Sequence, residues 1–282
     1  MSGTLYVVAT PIGNLEDITL RALRVLREVD LIAAEDTRRS GRLLAHHGIA
    51  TRTMSFHEHN SRSRVPQLIS RLEAGQSIAI VTDAGTPGVS DPGLELVKEA
   101  IDRGIRVDPI PGASAPLTAL IASGFDMMPF TVFGFAPSRL NDRIRWLGQI
   151  AETPHTFSFF ETPHRIQGTL RQSCDIFGER PIMLARELTK VHQEFLRGTA
   201  SKLAERLTEP RGEFTIIVGP APISRDTNEM QLTDEDVVRE FGRITEIAGR
   251  SRRQAITEVA RKSGRSAKDV YSAIERAKKL DM

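Results

Sequence analysis

The sequence predicts two successive α/β domains followed by a small helical module. Short apolar runs alternate with helical patterns as far as Val218, which is typical of sheets covered by helices. Turn-forming residues divide this alternation near Gly124, and Gly219-Pro220-Ala221-Pro222 ends it. We therefore predict domains at 1–124, 125–222 and 223–282.

The first domain is predicted to hold a mostly parallel sheet covered on both faces. Predicted strands cover Leu5–Thr10, Leu31–Ala34, Ser77–Thr82 and Ile105–Ile110, and helical patterns lie near 18–28, 38–46, 62–74 and 91–103. Gly48, Gly75 and Gly104 each follow a helical pattern, where a left-handed cap favours glycine.

The second domain repeats the alternation. A helix over Ser114–Ser123 leads into it. Predicted strands cover Phe130–Phe135, Thr156–Phe160, Ile182–Ala185 and Phe214–Val218, with helical patterns near 139–151, 164–177 and 201–208.

Residues 223–282 are predicted to form a basic helical module. Thr233 is placed to cap a helix, and further helical patterns lie near 251–263 and 266–279. Residues 243–282 carry 11 Lys/Arg and 5 Asp/Glu, a net charge of +6, whereas the whole chain carries +2. Both a contact with a polyanion and a solvated helical surface explain this asymmetry.

Composition excludes several classes of protein. No apolar run approaches the ~20 residues that span a bilayer, and the N-terminus lacks the basic region of a signal peptide. The single cysteine, Cys174, fits a reducing compartment. We therefore expect a cytoplasmic protein without a membrane partner. No CxxC or HExxH pattern occurs, and we predict no structural metal.

Three loops follow predicted strands of the first domain, at the sheet edge where open α/β sheets bind ligands. They are Ala9–Asp17, Thr82–Gly93 and Pro109–Ala115. The second has three glycines and two prolines in twelve residues, which gives a stiff loop with close access to its backbone. Each loop alone is also explained as an ordinary turn.

Charged clusters follow two predicted strands of the second domain. They are Phe159–Arg165 and Ala185–His192. Such clusters are commonly surface ion-pair networks, and a functional role is the alternative.

Taken together, three motifs resemble the ribosomal RNA small subunit methyltransferase I group of the tetrapyrrole-methylase-like superfamily. They are Leu5–Thr19, Ala34-Glu35-Asp36-Thr37-Arg38 and Asp83–Gly93. The resemblance runs from about residue 4 to 219, and the helical tail matches the usual C-terminal extension of the group.

This resemblance implies an S-adenosylmethionine-dependent enzyme with the cofactor in a cleft between two α/β domains. It implies a homodimer that methylates the ribose 2′-hydroxyl of a cytidine in the decoding region of 16S ribosomal RNA, within the small subunit. By the same resemblance, the cofactor contacts are Pro11, Asp83, Gly85, Thr86, Val89, Ser114, Ala115, Phe160, Glu161 and Leu188.

The candidates for catalysis are Glu187 and Lys190. Either can remove the proton of a ribose hydroxyl, and Lys190 needs a lowered pKa for this, from burial or from neighbouring Arg186. RNA contacts are expected from the basic tail and from Arg38, Arg39, Arg42 and Arg165.

Two other functions remain open. One is methylation of a tetrapyrrole precursor. The basic tail and Gly85-Thr86-Pro87, where tetrapyrrole enzymes usually carry Gly-Asp-Pro, argue against it. The other is a non-catalytic RNA-binding ribosome assembly factor.

Overall fold

A computed structural model describes most of the chain as two compact units, Met1–Ala221 and Pro222–Met282. The described residues are 2–88, 93–208, 210–221, 233–246, 251–263 and 265–280. Within these ranges, no helix is long and apolar enough to cross a membrane.

The first α/β half is built on a five-stranded parallel sheet. Its strands are β1 (Thr4–Val8), β2 (Leu31–Ala34), β3 (Thr53–Ser55), β4 (Ile78–Val81) and β5 (Arg106–Ile110), in the order β3-β2-β4-β1-β5. The helices are α1 (Leu20–Glu28), α2 (Thr37–His46), α3 (Ser61–Glu73) and α4 (Gly93–Asp102). Buried apolar clusters cover both faces of this sheet, as the apolar strand runs predicted.

The second α/β half contains a mixed sheet. Its strands are β6 (Phe130–Phe135), β7 (Thr156–Glu161), β8 (Ile182–Arg186), β9 (Glu194–Gly198) and β10 (Phe214–Val218), in the order β6-β7-β10-β8-β9. Only β6 and β7 pair in parallel. The helices here are α6 (Leu140–Ala151), α7 (Ile166–Phe177) and α8 (Ala200–Arg206).

The sequence prediction missed two edge strands, β3 and β9. Strand β3 has three residues, too few for a pattern, and β9 carries charged Glu194 and Arg197. The predicted strands all form, with ends shifted by a residue or two. The left-handed glycine caps are also confirmed, since Gly48, Gly75 and Gly104 have φ of 62°, 93° and 67°.

A helix between the sheets, α5 (Ala115–Ser123), packs on the second sheet. Ala119 and Leu120 are buried in one apolar cluster with Met183, Ala185 and Ile217 of that sheet. The cluster also includes Ile12 from the loop after β1 and Leu188 from the turn after β8. Apolar burial therefore joins the two halves next to those two segments.

In its described residues, the C-terminal unit contains three helices, α9 (Asp234–Glu246), α10 (Arg252–Ser263) and α11 (Ala267–Leu280). Its buried core includes Val237, Val259 and Ile274. The predicted cap is confirmed: Thr233 Oγ1 accepts from the Asp236 N–H at 3.3 Å, and the Asp236 carboxylate accepts from the Thr233 N–H at 3.2 Å.

Buried Arg180 connects the ends of several elements of the second half through hydrogen bonds. Its side chain lies 4.9 Å over the Phe157 ring, and burial lowers the pKa of its guanidinium. The guanidinium donates at 2.6–3.1 Å to the carbonyl oxygens of Ala151, Thr153, His155 and Gly219.

We predict that Arg180→Met lowers the free energy of unfolding by at least about 3 kcal/mol, because buried carbonyl oxygens lose their donors. Thermal unfolding of the full chain measures the change. Arg171→Met, at an exposed position of α7, is the matched control and is expected to leave the midpoint unchanged. Equal midpoints for the two variants would contradict this account.

Candidate functional site

The three loops predicted at one sheet edge come together in the structure. Thr10, after β1, and Gly85, after β4, exchange backbone hydrogen bonds of 2.9 and 3.1 Å. Gly85 has a left-handed φ of 83°, which glycine adopts at little cost. The third loop packs so closely that a Cβ on Gly112 would lie 2.9 Å from Ala9 Cβ.

A pocket of about 190 Å³ opens beside these loops and is lined by both halves of the α/β unit. The first half contributes most of its wall, and the second half contributes a lysine and a carboxylate. The lining residues are Thr10, Pro11, Ile12, Gly13, Leu15, Arg39, Ser40, Leu43, Thr82, Asp83, Ala84, Lys190 and Glu213.

The two halves meet closely at Gly13 and the turn after β8. The Asn14 N–H donates to Thr189 Oγ1 at 2.9 Å. A Cβ on Gly13 would lie 2.6 Å from each of Leu188 O, Thr189 Oγ1 and Lys190 Cγ. Only a residue without a side chain fits there, so Gly13 sets how near Lys190 lies to the loop after β1.

The turn after β8 holds two residues in an uncommon conformation. Glu187 and Thr189 have φ of 49° and 62°, in the left-handed region that residues with a Cβ rarely adopt. Backbone bonds hold this shape: the Lys190 N–H donates to Glu187 O at 3.0 Å, and the Glu187 N–H donates to Glu213 O at 3.1 Å. Strain of this kind is concentrated at functional sites.

Lys190 is the centre of an ion-pair network at the pocket. Its Nζ donates to Glu187 Oε1 at 2.9 Å and to Glu213 Oε2 at 3.3 Å. Partial burial disfavours both charged forms. The Lys190 hydrogen bond and the Glu213 N–H nevertheless lower the pKa of Glu187, and the two carboxylates raise the pKa of Lys190.

Lys190 therefore lacks the lowered pKa that it needs to act as a base. Burial acts in the predicted direction, but two carboxylates in direct contact outweigh it, and Arg186 instead pairs with Glu194 at 3.3 Å. Lys190 is an ammonium at neutral pH, and Glu187 is a carboxylate.

Arg39 contributes a second ion pair to the pocket, with Asp83 at 3.1 Å. Asp83 is fixed further by the Asp36 N–H, which donates to its carboxylate, and its own N–H donates to Glu35. Glu35 and Asp36 belong to the motif Ala34-Glu35-Asp36-Thr37-Arg38, but the sequence analysis assigned them no function. The structure shows that they hold the loop after β4 against α2.

The other arginines of α2 are exposed. Arg38 pairs with Asp36 at 3.1 Å and leaves 89% of its side chain exposed. Its hydrogen bond to Asp36 lowers the pKa of that carboxyl to about 2. Arg42 is also exposed. These side chains give the helix beside the pocket a basic surface.

Glu161 and Arg165 form an ion pair within the second half, and neither is a lining residue of the pocket. The buried Glu161 carboxylate contacts Arg165 at 2.6 Å and accepts from the Thr162 N–H and the Thr169 hydroxyl. Its oxygens are thus engaged within the second half, and Arg165 has only 23% of its side chain exposed.

Of the predicted cofactor contacts, Pro11 and Asp83 line the pocket. Leu188 and Ala115 lie in the apolar cluster that joins the halves, and Ser114 precedes α5. Phe160 packs on Phe135 with ring centroids 5.1 Å apart. Gly85 and exposed Thr86 belong to the loop after β4. Val89 lies outside the described residues.

Three lining residues, Ser40, Leu43 and Glu213, lie outside the loops and side chains named from the sequence, and Gly13 lies in a named loop without an assigned role. Gly13 belongs to the family motif Leu5–Thr19, but its role depends on its contact with the turn after β8, which is distant in the sequence. Glu213 stands before β10 with no motif around it, so no signal in the sequence identifies it.

Comparison with known proteins decides the family. Residues 4–204 match the family described as Tetrapyrrole (Corrin/Porphyrin) Methylases. A protein of Halalkalibacterium halodurans named ribosomal RNA small subunit methyltransferase I is 44% identical over 96% of this chain and 94% of its own length. This chain belongs to the tetrapyrrole methylase family, in the ribosomal RNA small subunit methyltransferase I group.

Further relatives of the same name support this assignment. One from Mesorhizobium japonicum is 49% identical over 79% of this chain and 77% of its own length. Among solved structures, a diphthine synthase (TM-score 0.62, 13% identity) and a Thermus thermophilus uroporphyrin-III C-methyltransferase (TM-score 0.56, 20% identity) each cover 77% of this chain, and 90% and 94% of their own. These two share the fold, and the predicted α/β fold class of the tetrapyrrole-methylase type is confirmed.

The close contact at Gly13 allows a direct test of whether this pocket is the site of methyl transfer. Gly13→Ala is expected to displace the turn that carries Lys190 and to lower the methyl-transfer rate by about 100-fold, the effect of misplacing a reacting group by about 1 Å. Single-turnover kinetics measure it.

Gly41→Ala is the matched control. Gly41 lies in α2 with no atom within 4 Å of an added Cβ, and alanine suits a helix better than glycine. This variant should keep the wild-type rate. A Gly13→Ala protein that is equally active would show that the close contact has no functional effect.

Proposed function

We propose that this chain methylates the ribose 2′-hydroxyl of a cytidine in the decoding region of 16S ribosomal RNA, with S-adenosylmethionine as methyl donor. Relatives 44–49% identical carry the name ribosomal RNA small subunit methyltransferase I. The structural observation behind the proposal is the pocket that combines Arg39 of a basic helix with Lys190 of the other half.

The residues beside the pocket fit the donor. Paired backbone hydrogen bonds between Thr10 and Gly85 hold the loops after β1 and β4 together at the wall of the pocket. A structure of Thermus thermophilus uroporphyrin-III C-methyltransferase, with TM-score 0.54 and 19% identity, is described as complexed with S-adenosyl homocysteine. We assign the donor to Pro11, Asp83, Gly85, Thr86, Val89, Ser114, Ala115, Phe160, Glu161 and Leu188.

When bound, S-adenosylmethionine supplies an electrophilic methyl group on a sulfonium. The chain's own contribution is to position the acceptor hydroxyl, which can supply roughly 7–11 kcal/mol of the barrier. Lys190 lines the pocket as an ammonium and stabilises negative charge that develops on the acceptor oxygen. Glu187, held ionised by Lys190 and the Glu213 N–H, accepts the proton.

RNA binding is assigned to the basic surface of Arg38, Arg39 and Arg42, to Arg165 and to the C-terminal module. Contacts to phosphates are strengthened by such side chains and weaken steeply as the salt concentration rises. The substrate is 16S RNA within the small ribosomal subunit. A cytoplasmic location follows from this substrate.

A homodimer is also proposed. Four apolar side chains of α5 and of the start of the second half are 42–90% exposed. They are Leu117, Ile121, Met128 and Val132. Burial of such side chains against a second copy is a common basis of homodimers.

The proposed catalytic pair gives a specific prediction. Glu187→Ala and Lys190→Ala are each expected to lower the methyl-transfer rate to small subunits by about 10²–10⁴-fold, the usual contribution of a proton-transfer group. Cofactor affinity, measured by calorimetry, should stay unchanged. His192→Ala, exposed in the same loop, is the control. If both alanine variants keep the wild-type rate, the catalytic assignment is wrong.

The function itself is tested on ribosomal RNA. We expect mass spectrometry of 16S RNA from cells lacking this protein to show the loss of one ribose methyl group, on a cytidine of the decoding region. Expression of the wild-type chain should restore it, and the Lys190→Ala chain should not. If the methylation of 16S RNA is unchanged and the purified protein transfers a methyl group to a tetrapyrrole precursor, the proposed function is wrong and the protein is a tetrapyrrole-precursor methyltransferase.

A further inference from the structure

Glu213 is a carboxylate at the pocket that contacts no reacting group in the proposed mechanism. Its backbone is fixed by a mutual pair with Glu187: each N–H donates to an oxygen of the other residue at 3.1 Å. Its side chain lines the pocket and is 73% exposed. In the described part of the chain it has one side-chain contact, from Lys190 Nζ at 3.3 Å.

The size and lining of the pocket favour a small amphipathic group. Drug-sized ligands occupy pockets of about 300–1,000 Å³, so a pocket of about 190 Å³ suits a smaller group, such as a single nucleoside. Ile12 and Leu43 form an almost fully buried apolar wall. Arg39, Lys190 and Glu213 add charged groups around it.

The pocket lies beside the residues assigned to the methyl donor, which is where the methyl acceptor must bind. It shares Pro11 and Asp83 with the residues assigned to the donor, and it contains Lys190 of the proposed catalytic pair. Because methyl transfer is an in-line displacement, the acceptor must lie directly beside the donor. A nucleoside extruded from its RNA strand can enter such a pocket.

We propose that this pocket receives the acceptor nucleoside and that Glu213 accepts a hydrogen bond from the exocyclic amine of its base. The inference rests on the proposed function and adds a residue that selects the base. An ionised carboxylate only accepts hydrogen bonds. Cytosine presents an amine to it, whereas uracil has a carbonyl oxygen at that position, which a carboxylate repels.

The other lining carboxylate is less suited to this role. Asp83 already accepts from the Asp36 N–H on Oδ1 and pairs with Arg39 through Oδ2. Glu213 uses only Oε2, for Lys190, so among the described residues its Oε1 has no hydrogen-bond partner and is available to the base. Lys190 thereby holds the base-selecting carboxylate and the proposed proton acceptor in one network.

The test compares two substrates: small subunits that contain cytidine or uridine at the methylated position. Wild-type protein should favour cytidine in kcat/KM by at least about tenfold, the effect of one charge-assisted hydrogen bond. The glutamine side chain of Glu213→Gln can accept a hydrogen bond from cytosine and donate one to uracil. The kcat/KM values of this variant for the two substrates should therefore differ by no more than about threefold. Binding of short cytidine- and uridine-containing RNA fragments should show the same loss of preference.

Glu194→Gln is the matched control. Glu194 also pairs with a cation near the end of β8 at 3.3 Å, but it does not line the pocket. It should keep the wild-type preference, and cofactor affinity should be unchanged in both variants. A Glu213→Gln protein with the full cytidine preference would overturn the inference and leave the proposed function intact. If the wild-type protein methylates neither the cytidine-containing nor the uridine-containing small subunit, both the inference and the proposed function are wrong.

Discussion

The contact between Gly13 and the turn after β8 controls the geometry of the pocket. A hydrogen bond of 2.9 Å from the Asn14 N–H to Thr189 Oγ1 holds the two segments together, and the missing side chain of Gly13 lets them approach. Lys190 follows directly in that turn. The strained φ values of Glu187 and Thr189 are stabilised by this contact and by the backbone pair with Glu213. A small change here would move the charged groups of the second half relative to the loops of the first.

Charge in the pocket is balanced by paired side chains. Lys190 lies between Glu187 and Glu213, and Arg39 lies against Asp83. Partially buried charges need such partners because desolvation disfavours them. The same partners fix the protonation states, since two carboxylates hold Lys190 as an ammonium and that ammonium holds Glu187 ionised. The pocket is therefore suited to stabilise charge that develops on a polar ligand, and family membership makes methyl transfer the relevant chemistry.

Most of the fold was predictable because burial gives its strands and helices clear patterns. Strands such as β2 and β10 are buried along their whole length and read as continuous apolar runs. Edge strands β3 and β9 lack that pattern, since one is short and the other is charged and partly exposed. The antiparallel pairing of β10 with β7 and β8 could not be predicted either, because an apolar run does not show whether the neighbouring strand is parallel or antiparallel.

The sequence by itself determined the α/β class, the convergence of the loops after β1, β4 and β5, and the family motifs, because these depend on local patterns along the chain. Tertiary structure decided which charged groups meet. It placed Glu213 beside Lys190, joined Glu161 to Arg165 within the second half, and raised the pKa of Lys190, which a role as base requires to be lowered. A pKa depends on the distance to charges elsewhere in the chain, and only the folded arrangement fixes those distances.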